Sequence, residues 1–153
     1  MKYRIETKYY RDIIDYYSDS FKIKKGYLLN NDLLISIEIT ERRDSIDQKA
    51  IIKIEKNKSQ YSSLTYSYLI PIWDAYKMVD ECNLKINKER YIKYAGKVRC
   101  EIDIYQNFYE PKLIIANIED KLDYIPIWLN LENTTNIDDL YISTHINKLK
   151  LND

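Results

Sequence analysis

Apolar and polar residues alternate along most of this chain with a period of two. In residues 2–8, Lys2, Arg4, Glu6 and Lys8 share one face while Tyr3, Ile5 and Thr7 share the other. That is the pattern of an extended strand with one fully charged face. The split recurs. Residues 21–29 read as a second strand, and 33–40 as a third, with Ile35, Ile37 and Ile39 set against Ser36, Glu38 and Thr40. Between them Asn30, Asn31 and Asp32 predict a hairpin turn, because Asn and Asp tolerate the left-handed region and bond their own backbone. Residues 50–56 set Ile52 and Ile54 against Lys53 and Glu55, and 61–70 set Leu64, Tyr66 and Tyr68 against Ser63, Thr65 and Ser67. Residues 84–94 carry Lys88 and Arg90 on one face and turn back at 95–97. Residues 98–105 place Arg99, Glu101, Asp103 and Tyr105 opposite Cys100, Ile102 and Ile104, and 112–120 place Asn117 and Glu119 opposite Ile114, Ala116 and Ile118.

Helical spacing interrupts this pattern in three places. Ile13, Ile14 and Tyr17 predict a short helix over 11–18. Pro71, followed by Ile72, Ala75, Tyr76, Met78 and Val79, predicts a helix over 71–82, proline being suited to the first helical position. A segment at 126–129 and a closing helix over 138–149 complete the chain.

An open antiparallel sheet with a solvated face would explain any one of these strands. Taken together they place both signs of charge at matching positions on strand after strand. One shape accounts for that: a closed antiparallel barrel of eight strands with a polar lumen, its apolar exterior covered by a few helices. The expected class is α+β, mainly β, with the barrel forming a tunnel.

Composition narrows the chemistry. At 153 residues the chain is expected to form a single domain, 1–153. Lys plus Arg and Asp plus Glu are 24 each, so no long-range basic field gathers DNA, RNA or anionic membrane, and any anion site is local. No apolar run approaches the roughly 20 residues of a membrane span, and Met1 leads straight into a charged strand without a signal-peptide core, which predicts a cytoplasmic protein. Cys82 and Cys100 are in no metal-ligand spacing and read as buried thiols; His145 is the only histidine and reads as a surface or packing residue. The 2 glycines lie in no dinucleotide or P-loop pattern, so a bound phosphate must be held by side chains.

In this order and spacing the motifs resemble those of the CYTH family, the triphosphate tunnel metalloenzymes, over essentially the whole chain. Arg4-Ile5-Glu6-Thr7-Lys8 sits where that family has E-x-E-x-K, and Lys25-Gly26-Tyr27-Leu28 where it has Q-G-Y-L. Residues 66–75 are similar to its E-Y-E-Y-x-I-P-x-x-D-A. Lys88-Glu89-Arg90-Tyr91 fits K-x-R-Y, Glu101-Ile102-Asp103 fits E-x-D, and Ala116-Asn117-Ile118-Glu119 fits A-E-x-E. Pro126, Trp128, Leu129, Glu132 and Thr134 fit P-x-W-L-x-x-E-x-T. The resemblance implies an eight-stranded tunnel in which Lys and Arg grip a triphosphate and Glu and Asp hold Mg²⁺ or Mn²⁺. Carried over residue by residue, it implies phosphate binding by Lys8, Lys88 and Arg90, with Arg4 and Lys53 beside them, and metal binding by Glu6, Asp103, Glu119 and Glu101.

The departures bear on activity. Arg4 replaces a carboxylate, Ser36 and Glu38 replace paired arginines, and Glu55 replaces a lysine. Ser63, Thr65 and Ser67 replace an R-x-E-x-E strand, and Asn117 replaces a carboxylate. Arg4, Glu38 and Glu55 are free to form internal salt bridges instead. Two functions remain open. One is a metal-dependent hydrolase of tripolyphosphate or a nucleoside triphosphate, with cyclisation a lesser variant. The other is a non-catalytic protein that binds a nucleotide, a polyphosphate or a protein partner, the last through its Tyr-rich exterior.

Overall fold

The computed structural model describes residues 1–59, 62–109, 111–146 and 149. The strands are β1 (Lys2–Ile5), β2 (Ser20–Asn30), β3 (Leu33–Arg42), β4 (Gln48–Ser59), β5 (Ser62–Leu69), β6 (Leu84–Ala95), β7 (Val98–Tyr105), β8 (Leu113–Asn117) and a short β9 (Thr134–Thr135). The helices are α1 (Tyr10–Ile13), preceded by a 3-10 turn over Thr7–Tyr9, α2 (Ile72–Glu81) and α3 (Asp139–Thr144). The fold is α+β and mainly β. Each of the eight strands expected from the alternation is present, because that pattern buries one face of each strand whatever lies around it.

All the described strands form one antiparallel sheet in the order β5-β4-β3-β2-β6-β7-β8-β1-β9. Among the described residues no ladder joins β5 to β1 or β9, so hydrogen bonds do not close the ring that the sequence led us to expect. The edge strand β5 gives a reason. Thr65, Tyr66, Ser67, Tyr68 and Leu69 are all exposed, so neither face of β5 is held against another layer. The side chain of Ser63, part of the expected hydroxyl row, lies outside the described residues.

Three apolar clusters fix the layers. On the outer face of β6, β7, β8 and β1, Tyr91, Cys100, Ile102, Ile114 and Ala116 pack with Ile5, Ile13, Trp128 and Leu129. On the outer face of β3 and β4, Ile37, Ile39 and Ala50 pack against Ala75, Val79 and Cys82 of the α2 segment. Gly26 permits α2 to approach β2 closely, since a Cβ there would lie 2.7 Å from Cys82 Sγ. The third cluster lies on the opposite, inner face: Ile86, Tyr105, Leu113 and Ile115 meet Phe108 and Ile142 of α3. Helix α3 therefore packs onto the face that carries the charges. Both cysteines are buried and unbridged.

Three elements differ in extent from their sequence pattern. Strand β1 ends at Ile5 rather than at residue 8, because Tyr9, Tyr10 and Ile13 turn back onto the outer core. Helix α1 stops at Ile13 rather than near residue 18. Arg43 donates to the carbonyls of Asp15, Tyr16 and Ser18 and holds that stretch as a loop. Helix α3 is described only over Asp139–Thr144 of the expected 138–149, and the positions at 147, 148 and 150 lie outside the described residues. Among the described residues no helix is long and apolar enough to cross a membrane.

Candidate functional site

Strand β6 supplies the centre of the site. Its alternation puts Ile86, Lys88 and Arg90 on the inner face, and its register with β7 sets Arg90 opposite Asp103 and Lys88 opposite Tyr105. The β2–β3–β4 ladders place Lys25, Ser36, Glu38, Lys53 and Glu55 on that same face. A cavity of about 290 Å³ opens there. Lys2, Lys25, Lys53, Lys88 and Arg90 line it together with Glu55, Asp103, Asp138 and Asp139, five cations against four carboxylates. With the charges so nearly balanced, an incoming anion must displace an internal carboxylate to gain full use of the cations.

The pairing is tight. The Lys88 side chain is only 4% exposed and its Nζ donates to Asp103 Oδ2 at 2.8 Å and to both oxygens of Asp139 at 3.0 and 2.8 Å. Arg90 donates through Nε to Asp103 Oδ1 at 2.7 Å and through a terminal nitrogen to Oδ2 at 3.0 Å, a two-point fork of the kind guanidinium makes with carboxylate. It also lies 3.4 Å from Glu101 Oε2. Lys25 Nζ reaches Asp139 Oδ2 at 3.5 Å and Glu38 at 3.8 Å, and the Tyr105 hydroxyl donates to Asp139 Oδ1 at 2.6 Å. Lys53 pairs with Glu55 at 2.9 Å.

These contacts set the protonation states. Burial works against the charge on Asp139, but Lys88 and Lys25 outweigh it and bring its pKa down to about 2. Burial likewise opposes the Arg90 charge, and the hydrogen bonds and charge of Asp103 overcome it, leaving the guanidinium pKa raised. Tyr105 is pushed up by burial first and by Asp139 second, so it stays a neutral donor.

The residues singled out in the sequence divide between places. Lys88, Arg90, Asp103 and Lys53 come together in this cavity, with Glu101 at its margin beside Arg90. Arg4 and Glu6 line a separate cavity of about 580 Å³ with Lys112, Glu132 and Thr134. Lys8 is on the 3-10 turn, exposed, and pairs with Glu6 at 3.1 Å. Glu119 lies past the end of β8 and is exposed. The expected metal set of Glu6, Glu101, Asp103 and Glu119 is thus not brought to one point. Both Asp103 oxygens already accept from Lys88 and Arg90. Among the described residues no group of three or more His, Cys, Asp or Glu could hold a metal ion. A Mg²⁺-sized cation needs near-octahedral oxygen ligation, and the donor set present does not fit it.

Lys25, Tyr105, Asp138 and Asp139 belong to the site without having been singled out as ligands. Lys25 was read as one letter of a backbone motif rather than as a charge. Asp139 enters from a helix, where strand alternation has nothing to say. Asp138 is the helix cap, accepting from Tyr141 N at 2.8 Å.

The fold has counterparts among solved structures. A search against protein-family models and curated proteins found no match. Two structures of the protein NE1496 align with nearly the whole chain. The one described as a hypothetical protein matches with a TM-score of 0.65 and 10% identity, covering 94% of this chain and 96% of that one. The one described as the inorganic triphosphatase NE1496 matches at 0.64 and 12% identity, covering 93% and 94%. The chain thus shares the fold of NE1496 in a divergent form, as the resemblance to the CYTH family led us to expect. At such identity the likeness is one of fold.

Proposed function

We propose that this protein binds a triphosphate-bearing anion, tripolyphosphate or a nucleoside triphosphate, in the cavity on the inner face of the sheet. The observation that carries this reading is the convergence of Lys25, Lys53, Lys88 and Arg90 from three strands on one cavity. In the unliganded protein internal carboxylates compensate these cations, and a phosphate chain would take the place of some of them. Arg90 offers a planar fork and the lysines offer point charges, which together suit the several non-bridging oxygens of a phosphate chain. An anion spanning Lys53 on β4 and Lys88 on β6 would draw the two halves of the sheet together, toward the closed tunnel expected from the sequence.

Hydrolysis of the bound anion is a second reading, favoured by the likeness in fold to a protein described as an inorganic triphosphatase. Here the residues of this chain would bind and orient the phosphate chain and neutralise the charge that develops on it. Binding is the reading the geometry supports best, because the cations are assembled and the carboxylate set for a metal is not.

The test is a thermal-shift titration with tripolyphosphate and with ATP, beside phosphate release in Mg²⁺ or Mn²⁺. Binding stabilises the native state by about 2.7 kcal/mol at a ligand concentration of 100 Kd. A shift in the wild type that disappears in Lys88→Ala/Arg90→Ala, with both proteins folded, is the expected result. No shift with either anion would remove the proposal. Phosphate release that also depends on Lys88 and Arg90 would establish the second reading.

A further inference from the structure

We propose that Lys25, Lys88 and Tyr105 form a seat for one phosphoryl group, and that the Asp139 carboxylate occupies it in the unliganded protein. The inference rests on the proposed anion binding and names residues for it that the motif matches did not.

Three donors converge on the Asp139 carboxylate from three different strands, Lys25 of β2, Lys88 of β6 and Tyr105 of β7. Their arrangement takes up the whole accepting capacity of the carboxylate, two contacts on each oxygen. Oδ1 is shared between the Tyr105 hydroxyl at 2.6 Å and Lys88 at 3.0 Å. Oδ2 is shared between Lys88 at 2.8 Å and Lys25 at 3.5 Å. Lys25 is left with a long contact to Asp139 and a 3.8 Å approach to Glu38, although its side chain is only 18% exposed. A phosphoryl group has three non-bridging oxygens and up to two negative charges. It can accept from all three donors on separate oxygens and match both lysines in charge.

The occupant is also the most readily displaced part of the lining. Lys25, Lys88 and Tyr105 sit on strands paired on both sides, at the centre of the sheet. Asp139 begins α3, which meets the inner face through Ile142, with Ile137, Ile146 and Leu149 packed beside it. It is joined to the sheet by side-chain packing and not by a hydrogen-bonded ladder, unlike the strands that carry the three donors. An anion that takes the seat therefore competes with an internal carboxylate, and its measured affinity is reduced by that competition.

The test measures the Kd of tripolyphosphate and of inorganic phosphate by calorimetry for the wild type, Asp139→Asn, Lys25→Gln and Tyr105→Phe, with the unliganded melting temperature of each. The asparagine keeps the size of Asp139 and removes its charge. The seat predicts that Asp139→Asn binds tripolyphosphate at least fivefold more tightly although the unliganded variant melts lower. It also predicts that Lys25→Gln and Tyr105→Phe bind at least threefold more weakly. Inorganic phosphate should follow the same order, since one phosphoryl group suffices. If the wild type binds but Asp139→Asn binds no more tightly, or if both Lys25→Gln and Tyr105→Phe bind as the wild type does, the seat is wrong while anion binding stands. If neither the wild type nor Asp139→Asn binds either anion, both the seat and the proposed function fall.

Discussion

Lys88 and Lys8 match the same kind of motif residue, a lysine for phosphate, and the fold treats them in opposite ways. Lys88 is buried, with three carboxylate contacts of 2.8 to 3.0 Å. Lys8 has a side chain 66% exposed, lies over the Tyr9 ring and pairs at 3.1 Å with a Glu6 that is itself 51% exposed. The difference arises in the backbone. Lys88 lies in the middle of a twelve-residue strand paired on both sides, whereas β1 ends at Ile5 and the chain has already turned when it reaches Lys8. A motif specifies a residue type at a spacing, but the strand must continue through that spacing to point the side chain inward.

The comparison is sharpened most by replacing Lys88 with Met, which keeps the stem and removes the charge. Asp103 and Asp139 then lose their shared partner inside the fold. Breaking a buried pair in this way costs about 3 kcal/mol, toward the lower end of the usual range because Arg90, Lys25 and Tyr105 remain. Urea unfolding at neutral pH should show this loss with an unchanged slope, and tripolyphosphate should no longer raise the melting temperature. A variant as stable as the wild type would mean that the cluster is solvated.

The second effect follows from Asp139. Its pKa falls from 3.8 to about 2 on folding, so the carboxylate contributes stability that is fully present above the unfolded value and is lost as pH drops through the folded one. The contribution at neutral pH is about 2 kcal/mol. Asp139→Asn should therefore be less stable than the wild type by about that amount at pH 7, and the gap should close between about pH 4 and pH 2. Unfolding curves of both proteins at three pH values across this window check it. A gap independent of pH would mean that packing of α3, rather than charge, is what the substitution disturbs.

A smaller change is expected from Arg90→Lys. Charge is kept, but the fork on Asp103 and the approach to Glu101 cannot both be reproduced by one ammonium. The expected loss is about 1 kcal/mol by urea unfolding, with weaker but persistent anion binding. A loss equal to that of Lys88→Met would shift the centre of the cluster from Lys88 to the Arg90 fork.

The physical reason some of this was legible in the sequence and some was not is visible in individual residues. Ser36, Lys53, Glu55, Lys88, Arg90, Asp103 and Asn117 lie on one face because alternation in a long strand is a local property. Helix α2 was legible because Ala75 and Val79 repeat at helical spacing behind a proline. The end of β1 was not, because it depends on Tyr9, Tyr10 and Ile13 finding the outer core from the far side of a turn. Nor was the open edge at β5, since closure of a ring depends on every strand at once. Asp139 was hidden for a third reason. Its partners Lys25, Lys88 and Tyr105 lie 114, 51 and 34 residues away in the chain, and no local spacing links them to the first turn of a helix.

The smallest expected effect is also the one that separates the two lysines most cleanly. Glu6 raises the pKa of Lys8 through a hydrogen bond and its charge, yet water surrounds both groups. An exposed pair of this kind gives back in side-chain order and solvent screening most of what it gains in attraction. Lys8→Met should therefore leave the urea midpoint unchanged in low and in high salt, and the Kd for tripolyphosphate should match that of the wild type. If binding instead weakens as much as in Lys88→Met, while the unliganded midpoint stays put, the anion must bring Lys8 inward. That would require β1 to extend past Ile5 and the sheet to curl around the ligand, and the contrast between the two lysines would then describe the empty state alone.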